Sequence, residues 1–304
     1  MFQKQIASNK KRTIGVVLLY FIVFLLIGAA LGYFMLNDFL AGMIISASVG
    51  AIYTLLMVSN ASKVVMRMNN AREITAPEQF PMYYNIVSDL ALVSRLPMPK
   101  MYIIEDPSPN AFAAGTKPEN AAVAVTTGLL ERLNREELEG VLAHEFGHIY
   151  NYDVRLQTIA VALGAAVSLL TQLAFRSRFY MGRGRRNNDN NSDGSAIIMM
   201  IGSVLLLILG PMVTTILQMA LSRNREYLAD ATAVKFTRNP QGLITALEKI
   251  SQSAPMRHVS NESRALYIFD PLKKSNAEKD SWFSTHPATV NRINRLKQMG
   301  NLTN

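Results

Sequence analysis

Residues 134–153 read NREELEGVLAHEFGHIYNYD, and the five residues HEFGH at 144–148 decide how the rest of the chain is interpreted. Asn134 can cap a helix, and Glu137 stands at the third helical position, which is the pattern of a capping box. Apolar residues then recur near helical spacing, at Leu138, Val141, Leu142, Phe146 and Ile149. The spacing therefore predicts a helix that carries both histidines.

On such a helix, His144 and His148 lie one turn apart on the same face, so both imidazoles can bind one metal ion. Glu145 lies about 100° round the helix from His144, where it can accept a proton from a metal-activated water. Because the chain has only four histidines, a chance match to HExxH is rare. The ligand types favour zinc, although such a set can also hold other divalent ions.

A catalytic zinc ion usually has three protein ligands and one open position. The residues after HEFGH read IYNYDV, so the third histidine of the longer HExxHxxGxxH motif is missing. The two remaining histidines of the chain are His258, in a polar stretch that reads as surface, and His286. A carboxylate from a distant helix is the other known way to complete such a site.

The stretch SRNREYLAD at 222–230 offers that carboxylate. Glu226 and Asp230 are four residues apart and share a helix face. We predict that Glu226 is the third ligand and that Asp230 holds the far nitrogen of a ligand histidine. The alternative is that both carboxylates pair with Arg223 or Arg225 on a solvated face.

Four long apolar runs surround these motifs, at 13–35, 39–59, 156–175 and 196–222. Each reaches the ~20 residues that a helix needs to cross a bilayer. Basic residues flank the first pair on both sides, which predicts that both flanks are cytoplasmic. The basic linker between the third and fourth runs opposes the same rule, so two spanning helices and a partly inserted hairpin both stay open.

The net charge of +9 accompanies these runs, so lipid headgroups explain it better than nucleic acid, and no nucleic-acid partner is expected. The absence of cysteine excludes disulfides and cysteine-based metal sites. We expect a mainly α membrane protein with four hydrophobic helices and a cytoplasmic α+β zincin-like protease domain. Its parts are an N-terminal hairpin at 1–60, a first half-domain at 61–155, a hydrophobic hairpin at 156–222 with a polar loop at 176–195, and a second half-domain at 223–304.

HEFGH, then an uncharged hairpin, then SRNREYLADATAVKFT resembles the HtpX-type membrane zinc metalloproteases of the gluzincin clan, which are related to the Ste24-type peptidases. The resemblance covers nearly the whole chain. It implies one Zn²⁺ per chain held by His144, His148 and Glu226, with Glu145 as general base. It also implies a multi-pass protein of the plasma membrane that degrades misfolded or damaged membrane proteins during stress.

Two further segments match the family pattern. PNAFAAG at 109–115 and NAAVAVTTGLL at 120–130 read as short strands joined by a turn. The resemblance implies that the edge strand binds an extended substrate through Asn110, Ala111, Phe112 and Ala113, although a plain scaffold hairpin is the alternative. STHPATVNRINRLKQMG at 284–300 reads as an amphipathic helix with Pro287 at its first position and with Val290, Ile293 and Leu296 on its apolar face.

In that last segment, the resemblance favours His286 as a group that stabilises the oxyanion, supported by Arg292. A helix cap explains His286 equally well without any chemistry.

Outside the enzyme class, the alternative function is a zinc-stabilised membrane scaffold, which would not need Glu145. Within it, the alternative is a prenyl-protein processing peptidase, a group that usually has more spans. A transporter is disfavoured because the four runs lack ionisable residues.

Overall fold

The computed structural model describes residues 11, 13–22, 25–26, 28–29, 32–33, 37–163, 223–257, 259–260, 262–272 and 287–301. This part of the chain is mainly helical and contains one small sheet. Its helices are α1 (Thr13–Ile22), α2 (Phe39–Met68), α3 (Pro81–Ser94), α4 (Thr127–Arg132), α5 (Arg135–Tyr150), α6 (153–163), α7 (Arg223–Thr237), α8 (Pro240–Ser251) and α9 (Thr289–Asn301). Its strands are β1 (Arg72–Glu73), β2 (Lys100–Ile104), β3 (Ala111–Ala114) and β4 (Ala122–Thr126).

The helix α2 is the one described element long and apolar enough to cross a membrane, with 30 residues and a mean hydropathy of 1.9 over an 18-residue stretch. The carboxylate of Asp38 caps it by accepting from the backbone N–H groups of Leu40 and Ala41, at 2.9 and 3.1 Å. The first apolar run contributes the shorter helix α1. The third run is described only as far as residue 163, and the fourth lies outside the described residues.

The first two runs approach each other through glycines. A Cβ placed on Gly28 would lie 1.9 Å from the hydroxyl oxygen of Ser46, and one on Gly32 would lie 2.4 Å from the Cα of Gly42. Only a residue without a side chain allows two backbones to come this close. This contact brings residues of the two predicted helices together, as a tight hairpin requires.

The sheet has the strand order β1-β2-β4-β3. β2 and β4 are parallel, whereas β1 pairs antiparallel with β2 and β3 pairs antiparallel with β4. The two strands predicted around 109–130 are therefore confirmed as β3 and β4, and β3 is an edge strand.

Two apolar cores lie on opposite faces of the sheet. Side chains of α3, α5, α8 and α9 pack with alternate residues of the strands in the larger core, which contains Val123 and Phe146. The smaller core joins the last turn of α2, at Val65 and Met66, to Phe112 and Val161. A third cluster packs α6 against α1 and α2. The apolar helices are thus continuous with the domain that carries HEFGH.

The C-terminal helix differs from its sequence prediction in two respects. It begins at Thr289 and not at Pro287. The predicted apolar face included Val290, which is 49% exposed, whereas Arg292 is only 2% exposed. The helix turns Arg292 inward because the buried carboxylate of Asp230 lies there.

Candidate metal centre

The helix that carries HEFGH starts as the sequence predicts. The side-chain oxygen of Asn134 accepts from the N–H of Glu137 at 3.0 Å, and the Glu137 carboxylate accepts from the N–H of Asn134 at 2.9 Å. These two reciprocal bonds satisfy donors that a helix start leaves without partners. They confirm the capping box and fix the residue at which the helix of HEFGH begins.

His144, His148 and Glu226 meet where α5 packs against α7. The Nε2 atoms of the two histidines are 3.1 Å apart, and each lies 3.6 Å from one carboxylate oxygen of Glu226. Gly147 allows the approach, since a Cβ there would lie 3.0 Å from the carbonyl oxygen of Ala229. All three side chains are buried.

This spacing fits a metal ion. Ligands bound to one zinc ion at 2.0–2.1 Å in a tetrahedral arrangement lie about 3.3 Å from one another. The three ligand atoms here fall within 4.8 Å of one another and belong to two imidazoles and a carboxylate, the donor set of many catalytic sites. Two imidazoles and a carboxylate removed from water with no ion between them would be costly, so the donor set implies a metal ion.

Asp230 and Arg292 form a buried layer behind His144. One Asp230 oxygen lies 2.9 Å from Nδ1 of His144, the nitrogen that faces away from the cluster. The Arg292 guanidinium donates to both oxygens of Asp230, at 2.9 and 2.6 Å, and to the carbonyl of Ile268 at 3.0 Å. These contacts hold the His144 ring in one orientation. Because Glu226 and Asp230 are 5% and 2% exposed, the alternative of a solvated arginine-paired face is wrong.

The charges around His144 change its protonation in the metal-free protein. Burial and the nearby Arg292 lower the pKa of His144, but bonds to Asp230 and Glu226 outweigh them and raise it to about 9. Burial alone would raise the pKa of Asp230, yet Arg292 and His144 hold it below its usual range. A metal ion must therefore displace a proton from this histidine when it binds.

Glu145 lies beside the cluster and faces β3. It is 1% exposed, and burial raises the pKa of its carboxyl, with the charges of His144 and His148 acting in the opposite direction. The backbone of Ala113 hydrogen-bonds to this carboxyl, while its other oxygen, Oε1, has no partner among the described residues. A buried carboxyl with one oxygen left over is suited to receive a proton from a group that enters the site.

The predicted substrate strand is next to Glu145, and its outer edge is covered by the chain itself. The carbonyl of Ala111 accepts from the N–H of Ile268 at 2.9 Å. The Asn110 side chain donates to the carbonyl of Phe269 at 2.9 Å. Asn110, Ala111, Phe112 and Ala113 are all buried. We call residues 267–269 the strap, since they join this edge to Arg292.

Sequence reasoning missed two contributors to the site. Asp153 lies with one oxygen 3.5 Å from Nδ1 of His148, and an acidic residue just past the end of the motif was the available signal. The carbonyl of Ile268 contacts Arg292, and no local pattern indicates a backbone group of this kind. His258 and His286 lie outside the described residues.

Comparison with known proteins identifies relatives along the whole chain. Residues 77–300 match the model of peptidase family M48. A protein named Protease HtpX homolog from Limosilactobacillus reuteri (strain DSM 20016) is 53% identical over 300 residues, which cover 98% of this chain and 100% of that protein. A protein of the same name from Streptococcus uberis is 50% identical over 98% of this chain and 100% of its own length.

Among solved structures, the crystal structure of S. mikatae Ste24p aligns with a TM-score of 0.46 and 18% sequence identity. The alignment covers 96% of this chain and 66% of that protein.

Proposed function

The chain belongs to peptidase family M48, and we propose that it is a membrane-anchored zinc endopeptidase that degrades misfolded or damaged membrane proteins. As a peptidase it acts on polypeptides. The observation that carries the rest of the proposal is the juxtaposition of His144, His148 and Glu226, with the buried carboxyl of Glu145 beside them. A catalytic zinc ion with three protein ligands keeps one position open. Glu145 lies on α5 next to the ligand His144 and beside β3.

His144, His148 and Glu226 are the residues that would hold the zinc ion. A zinc ion in such a site lowers the pKa of a water molecule and polarises a carbonyl group. Glu145 takes one proton from the attacking water as the water oxygen bonds to the scissile carbonyl carbon. The carboxyl then gives that proton to the amide nitrogen as the C–N bond breaks, so an acid and an amine are released. The raised pKa of Glu145 suits a group that must both take and return a proton.

Arg292 is proposed to act through position and charge. Its guanidinium lies 3.8 Å from one oxygen of Glu226 and 3.3 Å from Nδ1 of His144. A fixed positive charge so close to the ligands favours the negative charge that develops on a carbonyl under attack. The role proposed for His286, stabilisation of the same oxyanion, rests on the family resemblance alone.

Substrate is proposed to add to β3 as a further strand. The support is that β3 is the edge of the sheet and that the backbone of Ala113 already reaches Glu145. A strand paired at Ala113 would place its peptide groups beside the ligands, and main-chain pairing accepts many sequences. Because Ile268 pairs with Ala111, a substrate that extends to that position must displace the strap.

The membrane arrangement is also a proposal. α2 has the length and composition of a spanning helix, and α6 packs with α1 and α2 in one apolar cluster. We propose four spans in the plasma membrane, with the two half-domains 61–155 and 223–304 in the cytoplasm and the hairpin 156–222 between them. The third zinc ligand then follows the last span directly, which puts the site at the bilayer surface.

A non-catalytic zinc scaffold is the competing function. It requires the ligands but not Glu145. Burial of this carboxyl costs stability, and a scaffold would gain nothing in return. A prenyl-protein processing peptidase would share the same chemistry and differ in substrate.

The experiment compares the wild-type chain with Glu145→Gln on an unfolded model protein in detergent, with the zinc content of each measured. Glu139→Gln, a partly exposed position on the same helix, is the matched control. We expect about one zinc ion per chain in all three proteins. Cleavage should be retained by the control and fall by about 10²–10⁴-fold in Glu145→Gln. Zinc binding without cleavage by any of the three would favour the scaffold.

A further inference from the structure

The helix α3 exposes apolar side chains near its C-terminal end. Tyr83, Ile86, Val87 and Leu90 are buried, whereas Leu92 and Val93 near its C-terminal end are 77% and 57% exposed. Met98 in the following loop is 42% exposed. A surface helix normally carries polar residues at its exposed positions. We call Leu92, Val93 and Met98 the apolar tip.

The apolar tip leads into the end of the sheet that lies near the exit of α2. Lys100 begins β2 two residues after Met98, and its ammonium group is 2.6 Å from the carboxylate of Glu73. Lys100 is the main cause of the lowered pKa of Glu73, and Lys63 of α2 lowers it further. Lys63 follows the end of the apolar run 39–59 by only four residues. The Lys100 end of the sheet is therefore close to the bilayer surface.

A second contact locates the same end of the sheet independently. Lys100 pairs with Ala122 in β4, and Ala122 pairs with Ala114 in β3. The next residue, Gly115, donates to the hydroxyl of Thr158 at 2.9 Å. Thr158 belongs to α6, whose apolar side chains pack against α1 and α2. Both the α2 side and the α6 side of the domain thus orient this end of the sheet toward the membrane.

Basic side chains accompany the apolar tip. Arg95, which ends α3 in a left-handed conformation with φ 58°, is exposed, and so are Lys63, Arg67 and Lys100. Exposed aliphatic residues next to lysine and arginine match the composition of segments that rest in the headgroup layer of an anionic membrane. A second copy of the chain would bring like charges together at this surface, which opposes self-association.

We propose that the apolar tip inserts into the headgroup layer of the same bilayer that α2 crosses, and that Arg95 binds anionic lipid there. The protease domain then has a second point of attachment besides its spanning helices. Two attachments on different elements restrict the tilt of the domain and keep β3 at a constant height above the membrane. The inference rests on the proposed crossing by α2 and is independent of the proposed peptidase chemistry.

The chain has no cysteine, so a single introduced cysteine reports one position without removal of native residues. Leu92→Cys and Met98→Cys are labelled with a polarity-sensitive fluorophore in the full-length Glu145→Gln background and reconstituted into vesicles of mixed anionic and zwitterionic lipid. Ile52→Cys, exposed in the middle of α2, is the reference for lipid. Gln241→Cys, exposed on α8, is the reference for water.

We expect both tip labels to emit at shorter wavelength than the Gln241→Cys label. They should be quenched more by a headgroup-attached quencher than by one at the acyl-chain end. Removal of anionic lipid, or the added substitution Arg95→Asn, which tolerates the left-handed conformation, should reduce that quenching. Tip spectra equal to that of Gln241→Cys, with Ile52→Cys in lipid, would overturn the inference.

Two other outcomes also count against it. A blue shift that disappears when the lipid-to-protein ratio is raised would mean that a second copy covers the apolar tip. An aqueous spectrum at Ile52→Cys would mean that the proposed spanning by α2 fails, which is a separate failure from that of the tip.

Discussion

The two ends of α5 are stabilised in different ways. At the N-terminal end, Asn134 and Glu137 bond to each other across three positions of the chain. At the C-terminal end, His144 contacts Asp230 and Arg292, the latter 148 positions away. One end depends on neighbours in sequence, and the other on residues that only the folded chain brings together.

This difference follows from what each end does. A helix start needs acceptors for its first N–H groups, and nearby side chains provide them. The C-terminal end buries His144, Glu145 and His148, which are costly to remove from water unless partners compensate. Since one short stretch cannot supply those partners, the functional end depends on the tertiary fold.

The largest effect is expected from Glu226→Gln. A neutral amide is a poor ligand, so bound metal should fall from about one ion per chain to near zero, and peptidase activity should fall with it. Metal content and cleavage of an unfolded protein are measured together. Glu248→Gln, a partly exposed carboxylate on α8, is the matched control and should behave as wild type. Full metal content in Glu226→Gln would remove Glu226 from the ligand set.

Asp230→Asn should come next. Metal affinity is expected to fall by about 10–100-fold, because the carboxylate that orients His144 is lost. Loss of one partner from a buried ion pair also costs about 3–5 kcal/mol, so the midpoint of chemical unfolding should drop. Competition with a metal chelator and urea unfolding measure the two effects. An affinity equal to that of wild type would mean that His144 needs no support from Asp230.

Gly140→Ala tests the middle of α5. Alanine is the better helix former by about 1 kcal/mol, so local support alone predicts a gain in stability. A Cβ at Gly140 would lie 2.6 Å from the backbone nitrogen of Leu243, so we expect a loss of about 1–3 kcal/mol in the free energy of unfolding. Gly300→Ala, where the nearest atom is 3.3 Å away on a proline ring, is the control. If Gly140→Ala is more stable than wild type, helix propensity and not packing against Leu243 determines stability at this position.

The smallest effect is expected at the capping end, from Glu137→Gln. Burial raises the pKa of Glu137, but Lys249 and the backbone of Asn134 outweigh it and hold the pKa below its usual value of 4.5. Because the pKa is lower in the folded than in the unfolded chain, the ionised carboxylate stabilises the fold above the unfolded pKa. That stabilisation is lost as the pH falls through the folded pKa. We expect Glu137→Gln to cost less than ~1 kcal/mol at pH 7.

That cost should shrink as the pH is lowered below 4.5, while metal affinity at neutral pH stays unchanged. Unfolding curves over a series of pH values test this. A cost that is the same at every pH would assign the effect of Glu137 to hydrogen-bond geometry and not to its charge.

Much of the site could be predicted because it is encoded locally. HExxH needs only the 3.6-residue period to place two histidines and a glutamate correctly, and the spacing of Glu226 and Asp230 needs the same period. The two strands around residues 111–126 followed from a turn between β-prone segments. Each of these features depends on residues within one element.

The rest could not be predicted for a common reason. Whether Arg292 lies inside or outside depends on a carboxylate 62 positions away. The contact between the carbonyl of Ile268 and Arg292 depends on a backbone group, which carries no side-chain signature. The amphipathic pattern of α9 therefore misplaced Val290, which the structure exposes.

The sequence by itself determined the helix α5, its capping box, the ligand types and the apolar helix α2, because short-range periodicity and length specify these features. Only the tertiary structure decided that Glu226 meets the two histidines, that Arg292 is buried behind them and that the strap covers β3. Burial and charge pairing between distant segments are properties of the packed chain. For that reason the five residues HEFGH predicted the chemistry, whereas the residues that hold them in place became known only from the folded structure.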